Sequence, residues 1–338
     1  MTPAELIRAI AATPPGGTLT LPAGNHGDVS LRKPITLRGE PGAVVRSVAI
    51  NGEGITVEGL AVQMVPTLAS ASFASAVRVY QSRDVTLRGL TIRGGLALKG
   101  TDPNADPSLR RTDEDVIGWP TGRAVTVDRS YGVTLEGLDI SAIHKGIVLS
   151  WVDGLIVRGN VVHDLRGSPV TGGAVTRATF EGNVFRDLFP WALGGNGDHN
   201  DFLHLWTVTG QPVSEAVVIR DNLIDQGKGS PTLGIFLEDN GGAGFSGVEI
   251  AGNTLIGGAA QGMRLENVAG RVLDNVLVQA SGTEKQAPGI YALQGSKVEV
   301  LGNIAADVFG TFKLNPGNTT IPPGVQPAWV LEIVRSLH

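Results

Sequence analysis

Leu155-Ile156-Val157-Arg158-Gly159-Asn160-Val161-Val162 is the stretch on which the architecture turns. It reads as a short strand, a tight Gly-Asn turn and a second short strand. The pattern returns at Ala178-Thr-Phe-Glu-Gly182-Asn183, Val217-Val-Ile-Arg-Asp221-Asn222, Val248-Glu-Ile-Ala-Gly252-Asn253 and Val298-Glu-Val-Leu-Gly302-Asn303, with Arg271-Val-Leu-Asp274-Asn275 as a shorter relative. Upstream, Ile35–Gly39, Ile55–Gly59, Val85–Gly89 and Val133–Gly137 repeat it without the Asn. Successive Asn residues lie 23, 39, 31, 22 and 28 positions apart. The shortest spacings set the unit, and the longer ones are that unit plus inserted loops.

A further strand precedes each of these runs, as in Ala76-Val-Arg-Val, Ala124-Val-Thr-Val, Gly146-Ile-Val-Leu, Gly234-Ile-Phe-Leu, Gly262-Met-Arg-Leu and Gly289-Ile-Tyr-Ala, and a third follows the Asn, as in Val161-Val162 and Leu223-Ile224. Three strands per turn of this length leave no room for helices. The expected fold is therefore all-β, a right-handed parallel β-helix (solenoid) of about ten coils, with the Asn residues as an internal hydrogen-bond ladder. The Leu-x-x-Leu-x-Leu frame of leucine-rich repeats is missing, and a propeller needs longer units. No coil buries its inward residues alone, so stacking must supply the core and the ends must be capped. Thr2, Pro3 and Glu5 predict an N-terminal amphipathic capping helix with Leu6, Ile7 and Ile10 on one face. The expected organisation is an N-terminal cap over 1–16, the β-helix over 17–318 and a C-terminal cap or tail over 319–338.

At 42% hydrophobic and 17% charged residues the chain has the composition of a folded protein. A net charge of −5 with no Lys/Arg run argues against nucleic acid as a partner. The lack of cysteine excludes disulfides and Cys-based metal or nucleophilic sites. No apolar run is long enough to span a membrane, and the first residues do not read as a signal peptide, so the expectation is an extracellular or virion-associated protein without a recognisable leader here.

Aligning the strands that precede the repeated motif predicts two outward columns. The first holds Arg78, Thr126, Val148, His204, Phe236, Arg264, Tyr291 and Lys313; the second holds Tyr80, Asp128, Ser150, Trp206, Glu238, Glu266 and Asn315. The columns meet the most unusual stretch of the chain, Gly197-Asp198-His199-Asn200-Asp201-Phe202-Leu203-His204-Leu205-Trp206. Segments 96–121, 189–197 and 210–216 are candidate walls. A long strip bearing aromatic residues suits a polymer better than a compact metabolite. The expected catalytic residues are His204, Asp201, His199, Asp198, Glu238 and Arg264; the expected substrate-binding residues are Trp206, Glu266, Tyr291, Lys313, Arg78 and Tyr80.

Plainer readings stand beside these. Asp198 to Asp201 can cap a turn through Asx bonds, Glu238 and Glu266 can be solvated strand residues, and Trp206 can pack under a loop. His144-Lys145 is a minor candidate. The acids between Asp102 and Asp115 offer oxygen ligands to calcium but have no EF-hand or RTX spacing, so no cofactor is expected. Two chemistries fit the strip. β-Elimination or epimerisation at a uronic acid needs a base, His204 or His199, and cations such as Arg264 and Lys313 for the carboxylate. Glycoside hydrolysis needs two carboxylates from among Asp201, Glu238 and Glu266.

With its repeats and outer strip, the chain resembles the pectate-lyase-like superfamily of right-handed β-helix proteins over nearly its whole length. That family includes polysaccharide lyases, glycosidases, C5-epimerases and phage tailspikes. The opening helix followed by Gly16-Gly-Thr-Leu-Thr-Leu-Pro-Ala-Gly24 is similar to the family's N-terminal cap. Asp198-His199-Asn200-Asp201 is similar to the Asp-Pro-His-Asp site of alginate C5-epimerases, with the His one place earlier. The resemblance implies a polysaccharide partner; the residues of the strip favour cleavage by β-elimination over hydrolysis, and the alternative is a tailspike-like fibre, homotrimeric in that case, that binds a surface polysaccharide without cleaving it.

Overall fold

The computed structural model describes residues 1–64, 74–95, 122–190, 198, 200–280, 287–310 and 317–321. The first element is the expected helix, Pro3–Ala12, closed by a capping box in which Thr2 Oγ1 accepts from Glu5 N (3.3 Å) and Glu5 Oε2 accepts from Thr2 N (2.7 Å). Leu6 is buried over the first coil and Ile10 packs beside it. Ile7, expected on the same face, is 68% exposed instead. The stripe the helix buries is narrower than the sequence pattern, because the end of a solenoid offers only one small apolar surface.

All other regular structure in the described residues is strand, and every strand pairing is parallel. The strands form one sheet of 22 and a second of 12 members. The second sheet contributes one rung per coil, so the described residues form twelve rungs, against the expected coil number of about ten. The two extra rungs are the terminal ones, at Gly24–Asn25 and Thr319–Thr320, where the repeat motif is absent. The last rung, Thr319–Thr320, falls in the segment expected as a C-terminal cap or tail, of which residues 322–338 lie outside the described residues.

Buried aliphatic residues stack in columns along the axis, for example Leu149, Leu205, Leu237 and Leu265. The Gly-Asn turn explains why this motif repeats. Gly159, Gly182, Asp221, Gly252, Asp274 and Gly302 all adopt φ between 53° and 71°, a conformation open to Gly and tolerated by Asp. The following Asn side chains point inward and form the ladder. Asn160, Asn183, Asn222, Asn253 and Asn275 each donate through Nδ2 to Oδ1 of the next Asn at 2.8–2.9 Å, and Asn303 donates to Asn318 at 3.1 Å. Each also satisfies a backbone carbonyl of an adjoining coil, such as Phe180 O for Asn222.

On the outside, the residue preceding each of these turns alternates in charge along the axis: Arg38, Glu58, Arg88, Glu136, Arg158, Glu181 and Arg220 lie in register on successive coils. Ion pairs join several of them, including Arg38–Glu58 at 2.6 Å and Arg158–Glu136 at 2.9 Å. Such exposed pairs add little stability each. A slip of one coil, however, would set like charges side by side, so the column specifies register.

Candidate functional site

The strand Asp201–Val208 sits between Val170–Thr176 and Leu233–Asn240. The first outward column reads Arg78, Thr126, Val148, Thr171, His204, Phe236, Arg264, Tyr291 and Phe309. The second reads Tyr80, Asp128, Ser150, Gly173, Trp206 and Glu238, with Leu293 beside Glu266. This corrects the expected columns in two places. A rung carrying Thr171 and Gly173 separates Val148 from His204, and Phe309, not Lys313, follows Tyr291. The rung escaped the sequence reading because Val170-Thr-Gly-Gly-Ala-Val has glycines where the pattern calls for alternation. Gly172 is required by packing, since a Cβ there would lie 2.3 Å from Leu149 O.

His204 is the hub. Its Nε2 lies 2.9 Å from Glu238 Oε2 and its Nδ1 3.3 Å from Asp201 Oδ2. Phe236 stacks on the imidazole (4.7 Å between centroids, 12° between planes), and Trp206 meets it edge-on at 5.2 Å. Trp206 in turn covers Gly173, where a Cβ would come within 2.6 Å of the indole nitrogen. The histidine side chain is 18% exposed, Asp201 9% and Glu238 25%, so the cluster is mostly desolvated yet reaches solvent.

Burial, reinforced by the nearby Glu238 charge and partly opposed by Arg264, pushes the Asp201 carboxyl up to about 7. Burial also lowers the His204 pKa against the pull of Glu238. The Asp201 carboxyl therefore keeps its proton to a higher pH than an ordinary aspartate, and burial disfavours protonation of the imidazole next to it. The partners set the tautomer: Nε2–H donates to Glu238, and the Nδ1 lone pair faces Asp201. Proton donor and proton acceptor are joined through one ring.

The raised carboxyl has a stability consequence. The native state keeps the Asp201 proton while the unfolded chain, with a carboxyl near 3.8, releases it, so this group's contribution declines as pH rises from about 4 to about 7. Asp201→Asn removes the titration. Its melting temperature relative to the parent should climb between pH 5 and pH 8; a difference that stays flat with pH would contradict the assignment.

Arg264 is held by Glu266 (Nε to Oε1, 2.7 Å) and Gln261 (Nη1 to Oε1, 3.0 Å), and its guanidinium lies 5.3 Å from the Phe236 ring centre. Glu266 shares the outward strip but is only 3% exposed, and it also accepts from Asp239 N. The pair braces the floor beneath Phe236, and its charges neutralise one another. Asp198 is likewise occupied, gripped bidentately by Arg166 at 2.7 and 2.9 Å. It does not contact His204. Burial, then Arg166, drives His144 beside it down to about 3, which keeps that ring neutral. Arg78 lies over the Tyr80 ring at 4.8 Å, four rungs before His204, or about 19 Å at ~4.8 Å per rung. Tyr291 lies three rungs after it. These residues flank the cluster along the strip without touching it. His199, Lys313 and Asn315 lie outside the described residues, as do segments 96–121 and 191–197. The third candidate wall, 210–216, includes a strand, Ser214–Glu215, paired with Phe245–Ser246, so that part belongs to the coil.

One alignment was missed. Three places before the first column runs another, with Arg123 paired to Lys145, and with Asp201 N donating to Ser168 Oγ on the rung between Lys145 and Asp201. The signal was in the sequence: Arg123-Ala-Val-Thr-Val, Lys145-Gly-Ile-Val-Leu and Asp201-Phe-Leu-His-Leu open with a polar group at the same offset.

Fold and site together define a parallel β-helix carrying an acid–imidazole–acid cluster midway along an outer strip. Residues 123–305, more than half of the chain, match the family described as right handed beta helix region, and the chain belongs to that family. No curated protein matches it in sequence. Among solved structures it is similar to the Dettilon tailspike protein (13% identity, TM-score 0.58), covering 95% of this chain and 60% of that one. It is similar to the alginate lyase from Paenibacillus sp. str. FPU-7 (14%, TM-score 0.51, covering 95% and 96%) and to the periplasmic alginate epimerase AlgG (13%, TM-score 0.51, covering 95% and 81%). At such identities the likeness concerns the fold. Among the described residues no helix is long and apolar enough to cross a membrane, and no group of His, Asp and Glu forms a metal cluster.

Proposed function

We propose that this protein cleaves a polysaccharide lying along the outer strip, with Asp201 as proton donor and Glu238, acting with His204, as proton acceptor. The observation that carries the reading is the buried Asp201 carboxyl, held well above the ordinary carboxylate range, on one side of the His204 ring and Glu238 on the other. Breaking a glycosidic bond by β-elimination or by hydrolysis requires such a pair: one group protonates the leaving oxygen, and the other takes a proton from the sugar carbon or from water. Elimination is the favoured chemistry, because Lys145, two rungs before Asp201, offers a cation for a uronate. The alginate lyase and epimerase among the structural relatives agree with a polysaccharide substrate.

The deciding experiment incubates the protein with a panel of acidic and neutral polysaccharides and follows ultraviolet absorbance from unsaturated ends and the release of reducing ends. Absorbance marks elimination, and reducing ends without it mark hydrolysis. Binding with neither signal overturns cleavage. That result would instead support a second reading, a receptor-binding spike that is extracellular or virion-associated and homotrimeric, which the likeness to the Dettilon tailspike favours.

A further inference from the structure

Lys145 occupies an unusual place. Its side chain is half-buried near the His204 cluster, and it has no hydrogen bond or ion pair with any described residue. Arg123 is its register partner on the preceding coil. The one acidic group that acts on it appreciably, Asp198, has both carboxylate oxygens engaged by Arg166. Desolvation first, then Arg123 and Arg166, lower its pKa, while Asp198 opposes them. Lys145 also disfavours protonation of His204, so the two sites share one field.

The other cation of the strip contrasts with it. Arg264 spends its charge on the buried Glu266 and a further N–H on Gln261. A partly desolvated ammonium without a counter-ion is costly, and a ligand anion would relieve that cost. Its position adds geometry. Lys145 lies two rungs before Asp201, about 10 Å at ~4.8 Å per rung, and the flexible lysine stem spans part of that gap. The ammonium therefore falls beside the sugar unit next to the bond facing Asp201, on the N-terminal side.

We infer that Lys145 forms an anion subsite that selects a polysaccharide bearing a carboxylate on the unit adjoining the cleaved bond, toward the N-terminal end of the solenoid. The inference rests on the proposed function for the location of that bond. It makes Lys145, not Arg264, the specificity-determining cation, and it gives the substrate a direction along the strip.

The test compares binding of oligogalacturonate and oligomannuronate with their carboxyl-reduced counterparts by calorimetry, using the full chain. The parent should bind at least one acidic oligomer about tenfold more tightly than its reduced form, a preference that shrinks as salt is raised. Lys145→Gln should erase the preference with the melting temperature kept, and Lys145→Arg should restore most of it. An unchanged preference in Lys145→Gln, or a parent that binds both forms equally, overturns the inference while leaving cleavage standing. Binding to no glycan overturns both.

Discussion

Asn222→Ala should cost the fold roughly 3–5 kcal/mol, the largest stability loss expected from a single polar substitution in this chain. Asn222 is 2% exposed at the middle of the ladder. Its Oδ1 accepts from Asn183 N (3.0 Å) and Asn183 Nδ2 (2.9 Å), and its Nδ2 donates to Phe180 O and Asn253 Oδ1 (both 2.9 Å). Truncation strands Asn183 N and Phe180 O in a dry interior, and each such orphan costs about 1–3 kcal/mol. It also opens a cavity. Each coil contacts only its neighbours, so the damage is local at first, and the coils on either side should lose hydrogen-exchange protection together. Asn318→Ala, at the half-buried last described step of the same ladder, is the control and should cost less. Denaturant unfolding reads both; a loss below about 1 kcal/mol for Asn222→Ala would mean that the ladder is incidental to stability.

The largest functional effect is expected from Glu238→Gln. Glutamine keeps the shape, and its amide oxygen can still accept from His204 Nε2, so the strand and its stacked rings stay in place. What disappears is the acceptor charge. Loss of a general base typically lowers turnover by about 10²–10⁴-fold, with KM little changed. A second readout separates this from a packing effect. The Glu238 charge is the second contribution holding Asp201 up at about 7, after burial, so its removal should let the Asp201 carboxyl fall and move the alkaline limb of the pH–rate profile to lower pH. Turnover within a few-fold of the parent would remove Glu238 from the chemistry.

The coil architecture was legible because it is written in local terms. Gly159-Asn160 and its relatives combine a left-handed turn residue with an inward amide, and both requirements fall on adjacent positions in every coil that has them. The helix cap was equally local, with Thr2 and Glu5 answering each other's backbone. Less legible was the rung at Val170–Thr176, where the closeness of Leu149 and Trp206 demands Gly172 and Gly173 and so removes the apolar signal. The roles of Glu266 and Asp198 were also hidden. Both carry charge at plausible positions, yet Glu266 is occupied by Arg264 of its own strand and is buried, and Asp198 by Arg166 of the preceding coil.

The sequence by itself determined the repeat, the inward and outward faces, the amide ladder and the strand that carries His204, because a period-two strand and a Gly-Asn turn depend on neighbours in the chain. Only the tertiary structure decided which outward groups act together. Stacking brings Glu238 of the next coil to His204, which already lies beside Asp201 on its own strand, and the depth of burial there raises the Asp201 carboxyl. Stacking likewise engages Asp198 with Arg166, while Arg264 is held within its own coil by Glu266 and Gln261. Register and desolvation are properties of the assembled solenoid, and no window of the sequence contains them.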